Sequence, residues 1–232
     1  MSYFPIALPF LFILAVLFIF LFVLIEIGIL EYAYERIGLD RRHAFLLLLL
    51  SLLGSYVNIP VYQLPPEQVH SGEVVVFFGM HYMIPMVREW PGTVIAVNIG
   101  GAVVPTLLSL YLIFKNKLFV RGFFAVCIVT IIVHWLAHPV RGLGIAEPIF
   151  IPPLVATAVA LLLARPNAPA LAYIAGSLGT LIGADLLNLG KIQGLGAPVA
   201  SIGGAGTFDG IFLTGILAVL IASIMTRARQ SA

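Results

Sequence analysis

Apolar residues run along this chain in long blocks rather than in alternation. Seven stretches are almost wholly apolar, at about 7 to 31, 43 to 60, 93 to 114, 119 to 137, 149 to 164, 169 to 189 and 206 to 226. Most approach the ~20 residues that an α-helix needs to cross the hydrocarbon core of a bilayer. The breaks between them carry residues that stop helices: Pro60, Pro65 and Pro66, then Pro91 and Gly92, Pro139, Pro166 and Pro169, Gly190 and Gly194. The pattern predicts an all-α membrane protein of about seven transmembrane helices. The gaps are too short for a separate soluble domain, so residues 1–232 read as a single integral membrane domain.

Two segments depart from the helical pattern. In the longest gap, 61 to 92, Val74-Val75-Val76-Phe77-Phe78-Gly79 precedes Met80-His81-Tyr82-Met83-Ile84. That run of β-branched and aromatic residues predicts a short β-hairpin turning at Gly79; a half-inserted amphipathic segment lying on the bilayer is the competing reading. The stretch from His138 to Pro153 holds Pro139, Pro148, Pro152 and Pro153. It cannot be regular helix, and it reads as a re-entrant segment whose backbone must be surrounded by protein or water.

Composition supports the bilayer as the main partner. Hydrophobic residues make up 61% of the chain and charged ones 9%, whereas soluble domains carry roughly 25% charged residues. A net charge of +2 does not suggest a nucleic-acid partner. The lone Cys127 rules out an internal disulfide. On a seven-span reading, one set of loops holds Arg36, Arg41, Arg42, Lys115, Lys117, Arg121, Arg165, Arg227 and Arg229, and the other only Arg88, Arg141 and Lys191. Cytoplasmic loops hold the excess of lysine and arginine, which places the amino terminus outside and the carboxyl terminus in the cytoplasm. No basic residue precedes the first apolar block, so it reads as a retained span and not a signal peptide.

A faint repeat runs through the pattern. Leu53-Gly54-Ser55-Tyr56-Val57-Asn58 is similar to Ile182-Gly183-Ala184-Asp185-Leu186-Leu187, and Asn98-Ile99-Gly100-Gly101-Ala102 to Ser201-Ile202-Gly203-Gly204-Ala205. These pair residues 43–114 with 169–226 in one orientation, as in parallel transporter repeats. Glycine-rich helix pairs also arise without duplication, because small residues let membrane helices approach.

Within the apolar blocks two acids stand out, Asp185 and Asp209. A carboxylate near the bilayer centre costs on the order of 2.5–3.5 kcal/mol, so its presence invites a functional explanation. The two are equally far along the chain from Ala197, which lies between their blocks. An antiparallel hairpin would therefore hold them at similar depth, toward the outer face. Two carboxylates in contact cannot both ionise cheaply; one keeps its proton and the other activates water. Gly203, Gly204, Gly206 and Gly210 would let an extended backbone approach Asp209. With Asn188 they form the candidate substrate-binding set. The competing readings are that each aspartate only caps a helix or binds a nearby donor, or that both line an ion or proton pathway.

Gly206-Thr207-Phe208-Asp209, together with Asp185 on the preceding block, resembles the Gly-x-Gly-Asp intramembrane aspartyl proteases. That resemblance implies a dyad hydrolase in which Asp185 and Asp209 alternate as acid and base on a membrane-embedded peptide. Over most of its length the chain resembles a prokaryotic membrane-protein family known only as a domain of unknown function. That likeness is carried by Gly183-Ala184-Asp185-Leu186-Leu187-Asn188-Leu189 and by Gly203-Gly204-Ala205-Gly206-Thr207-Phe208-Asp209-Gly210. It implies the plasma membrane of a bacterium or archaeon and supplies no activity. A transporter or channel moving a small solute or ion through the same acids, and a structural subunit, stay open beside the hydrolase.

One further pair has ligand spacing. His134 and His138, at i and i+4, would share a helical face and could clamp a metal, with His70, Glu73, His81, Glu89 or Glu147 completing the site. Otherwise no cofactor is implied. Histidines at a membrane interface commonly just terminate a hydrogen-bond network. Asn58, Asn98 and Asn188 read as polar glue between helices.

Overall fold

The computed structural model describes residues 16–17, 37–77, 80–90, 92–140, 144–193, 198–204 and 210–228. Its helices are α1 (Arg41–Gly54), α2 (Val104–Asn116), α3 (Phe119–Leu136), α4 (Ile151–Leu163), α5 (Ala168–Thr180) and α6 (Gly210–Ala228). Its strands are β1 (Asn58–Gln63), β2 (Glu67–Phe77), β3 (Met80–Trp90), β4 (Val94–Asn98), β5 (His138–Val140), β6 (Gly144–Ala146) and β7 (Val199–Ile202).

Helix α5 occupies the centre because its side chains are small. Ala168, Ala170, Ala172, Ala175, Gly176 and Gly179 are buried, and α2, α3, α4 and α6 all pack against it. Small residues let backbones come close, which is how helices associate where lipid removes the hydrophobic drive between them. A Cβ on Gly176 would sit 3.3 Å from the Thr214 methyl of α6 and 3.5 Å from Ala156 of α4. One on Gly179 would meet Val129 of α3 at 2.6 Å, and one on Gly183 the Thr130 carbonyl at 2.6 Å. Prolines fall in the first turns of α2, α4 and α5, where no backbone donor is lost.

The bundle buries a mainly apolar core that also holds polar residues, and it exposes large apolar side chains. Ser109, Thr157, Ser177, Thr180 and Asn188 lie fully inside, while Trp135 is 81% exposed and Leu162 85%. Among the described residues, three stretches are long and apolar enough to cross a membrane, Ile99–Asn116, Phe119–Leu136 and Arg165–Lys191; Ile151–Leu163 and Gly210–Thr226 are shorter apolar helices.

Seven spans are not what the described residues contain. The expected block at 7 to 31 lies outside them, apart from Val16 and Leu17. The block at 43 to 60 is helical only as far as Gly54 and then becomes β1. The block at 93 to 114 begins as β4 before turning helical. Both departures share a cause: β1, β4 and β7 form one sheet, β1 antiparallel and β4 parallel to β7. This sheet draws apolar residues out of the helices, and the apolar runs that mark helices also suit strands buried in a sheet. Pro60 falls on the outer strand β1, beside a register shift between Pro60 and Tyr62, where a missing donor is tolerated.

The expected short hairpin is a long one. β2 and β3 pair over eleven residues each, from Glu67 opposite Trp90 to Phe77 opposite Met80. The proline-rich stretch contains a small hairpin, β5 with β6, and α4 starts at Ile151 with Pro152 and Pro153 in its first turn.

Strands β4 and β7 run side by side, and each leads into an Ile-Gly-Gly turn ahead of a helix. Ile99–Val103 forms a wide π-type turn capped by Asn98, whose Oδ1 accepts from the Gly101 amide at 2.9 Å. Its amide donates to the Ser55 carbonyl at 2.7 Å and to Asn58 Oδ1 at 3.0 Å, and Ser201 Oγ donates to the same Asn58 oxygen at 2.6 Å. The two asparagines do not join helix to helix as expected: they lie on β1 and β4 and tie the end of α1 and the strands to one another. Gly100 is wedged against α1, with Ser51 Oγ donating to its carbonyl at 2.9 Å.

A methyl group at Gly100 would collide with the Ser51 carbonyl and the Ser55 amide, both backbone atoms. Gly100→Ala is therefore expected to destabilise the purified protein by at least ~2 kcal/mol. Gly190→Ala, where nothing lies within 4 Å, is expected to stay within ~0.5 kcal/mol of the parent. Thermal unfolding of the two variants in detergent checks the pair; equal losses would contradict this packing.

Candidate functional site

At its carboxyl end α5 stops being regular. Leu181–Asp185 forms a π-type turn and Leu186–Lys191 a tighter 3-10 helix. A π-type turn breaks the regular ladder of carbonyl partners, and side chains supply bonds there. Asn188, fully buried, donates to the carbonyls of Gly183 at 3.0 Å and Ala184 at 2.9 Å. His134 of α3 places Nδ1 at 3.2 Å from the Gly183 carbonyl. Both amide hydrogens of Asn188 are thereby engaged, so the network assigns the imidazole hydrogen to Nδ1, donating to Gly183.

The irregular turn carries Asp185. Its Oδ2 accepts a 2.6 Å hydrogen bond from the Gly203 amide, a charge-assisted contact. Gly203 holds φ +93°, and an added Cβ would lie 2.5 Å from the Ala102 amide. Glycine is required there on both counts. The bond fixes the end of β7 to the end of α5.

Asp185 lines a cavity of about 300 Å³ together with Glu147, Thr180, Gly204, Gly210 and Thr214. Glu147 comes from the turn between β6 and α4. The position that a Cβ on Gly210 would take is 2.8 Å from Glu147 Oε1, so the carboxyl sits against the start of α6. Its Oε2 is buried and has no hydrogen-bond partner among the described residues, and neither has Thr180 Oγ1. Burial pushes the Glu147 carboxyl up to about 7, and the charge of Asp185 adds to the effect.

The acid that stands beside Asp185 among the described residues is thus Glu147. Asp209 and Gly206, the other expected members, lie outside the described residues. Gly204 and Gly210 line the cavity, whereas Gly203 binds Asp185 and Asn188 binds the turn. The sequence offered Glu147 as one of several residues that could complete the histidine pair; as a lone acid in the apolar run Ile145-Ala146-Glu147-Pro148-Ile149 it also carried the signal that singled out the aspartates.

The histidine pair does not form as expected. Helix α3 ends at Leu136 and Ala137 is extended, so exposed His138 lies on β5 and shares no helical face with His134. Among the described residues, no three histidine, cysteine, aspartate or glutamate side chains group to hold a metal.

Helices long and apolar enough to cross a membrane, an exterior rich in exposed apolar side chains and an acid-lined cavity beside the central helix point to a helical membrane protein. The chain belongs to a family described as Protein of unknown function (DUF1614), whose model matches residues 52–221. The match spans Glu147, Asp185 and Asp209 and carries no protease assignment, so the likeness to the Gly-x-Gly-Asp enzymes rests on short segments alone. No curated protein and no solved structure matches the chain.

Between the ordinary carboxyl value of 4.5 and about 7, folded protein holds a proton on Glu147 that unfolded protein has released. Stability should therefore fall as pH rises through this window and level off above it. The expected drop in melting temperature between pH 5 and pH 8 is roughly 5 °C, and Glu147→Gln should flatten it. Matching slopes for parent and variant would rule out this titration.

Proposed function

We propose that this protein is an ion-binding carrier or channel of the membrane, with the Asp185 and Glu147 carboxyls as its binding site. The observation that carries the reading is the joint lining of one cavity by two acids at the irregular end of the central helix. Discontinuous helices and intramembrane acids mark ion sites in transporters. At about 300 Å³ the space lies at the small end of ligand pockets; it suits an ion or a small solute better than an extended peptide. Exposed apolar side chains support seating the protein in a membrane; the sidedness read from the charge partition, with this end outside and the carboxyl terminus in the cytoplasm of a prokaryote, holds only for a seven-span chain.

The parallel placement of β4 and β7, each followed by an Ile-Gly-Gly turn, supports reading 43–114 and 169–226 as duplicated units. In that reading Tyr56 stands where the second unit has Asp185, so only one unit carries the acid.

A dyad hydrolase is the second reading. What favours it is that Gly210, the residue following Asp209, lines the cavity that already holds two acids. The two readings predict different losses. In proteoliposomes, Asp185→Asn should reduce ion-gradient-driven flux at least ~10-fold while the protein stays folded. Unchanged flux in that variant, with loss of cleavage of a reporter membrane helix, would replace the carrier by the hydrolase.

A further inference from the structure

We propose that the Glu147–Asp185 cavity is a binding site for a hard divalent cation of the Mg²⁺ type, held with part of its water shell. This rests on the ion-binding reading and names the ion.

The donor set decides the class. The described lining residues offer carboxylate, hydroxyl and backbone oxygen, and among them no imidazole, thiol, lysine or arginine. Soft sulfur ligands select zinc or copper(I) and imidazole suits transition metals, whereas an oxygen-only set suits Mg²⁺, Ca²⁺ or Mn²⁺. Two ionised carboxylates bring a charge that one divalent ion neutralises. Thr180 supplies the independent sign that something is meant to bind. It is 1% exposed, it borders the cavity, and among the described residues its hydroxyl oxygen has no hydrogen-bond partner. Buried hydroxyls are seldom left so, because desolvation is then uncompensated. Oε2 of Glu147 is unpartnered in the same cavity, and Thr214, 2% exposed, stands on the facing helix.

The number of acids separates the hard ions from one another. Ca²⁺ takes six to eight oxygen ligands, largely from protein, while Mg²⁺ keeps several waters and is held by one or two carboxylates. Asp185 Oδ2 is occupied by the Gly203 amide, which leaves Oδ1, the Glu147 carboxylate and the Thr180 hydroxyl for direct or water-bridged contact. A space of about 300 Å³ accommodates on the order of ten waters at ~30 Å³ each. A partly hydrated ion fits it.

The test is calorimetric titration of Mg²⁺ and of Mn²⁺ into the full-length, chelator-stripped protein in detergent at pH 8. One saturable site is expected for each ion. Glu147→Gln and Thr180→Val should weaken it at least ~10-fold, and Thr180→Ser should restore it. Mg²⁺ should also raise the melting temperature of the parent and leave that of Glu147→Gln unchanged, a readout that needs both proteins folded. Absence of saturable Mg²⁺ and Mn²⁺ binding, or equal affinity in Glu147→Gln, overturns the proposal. Sodium or proton flux that depends on Asp185 without any divalent binding would overturn it while leaving the carrier reading intact. Divalent binding in a protein whose acid variants transport normally would do the reverse.

Discussion

The hydrogen bond from the Gly203 amide to Asp185 ties together two parts of the chain that also meet in the apolar cluster of Ala102, Leu181 and Ile211 with Val97 and Ile202. On one side is α5, whose small residues seat it among four other helices. On the other is the three-stranded sheet, which ends at Gly203. A carboxylate in apolar surroundings needs donors, and the strand-end amide, freed by a left-handed glycine, is one. Asp185 is therefore a structural tie as well as a wall of the cavity: its side chain caps no helix and instead binds a nearby backbone donor.

Around that tie, polar groups are used for geometry. Asn98 and Asn58 join α1 and the sheet, while Asn188 and His134 bind the carbonyls of the turn that presents Asp185. These side chains meet backbone groups within a low-dielectric interior, where an unmet carbonyl is costly. Six buried side-chain oxygens have no partner among the described residues, those of Ser109, Glu147, Ser177, Thr180, Asn188 and Ser223; of these, Thr180 and Glu147 line the cavity beside Asp185.

Much of this was legible in residues. The apolar blocks at 119 to 137 and 169 to 189 are helices almost as drawn, and the glycines at 100 and 203 mark close approaches of backbone. The β-branched run at 74 to 84 announced a hairpin, though not its reach back to Glu67 and on to Trp90. The strands β1 and β4 were hidden because a buried strand and a buried helix segment are alike apolar; only pairing tells them apart.

By itself the sequence determined the solvent, since few charges and long apolar runs leave a bilayer as the only medium that suits the surface. It also singled out Asp185 as an acid needing an explanation. Which groups surround that acid was decided by tertiary structure. Glu147 reaches the cavity from a loop ahead of α4, and His138 leaves the metal pair because the chain turns into a strand after Leu136. The physical reason is that proximity between distant residues follows from helix packing and strand pairing, and neither is written in the local spacing of residues along the chain.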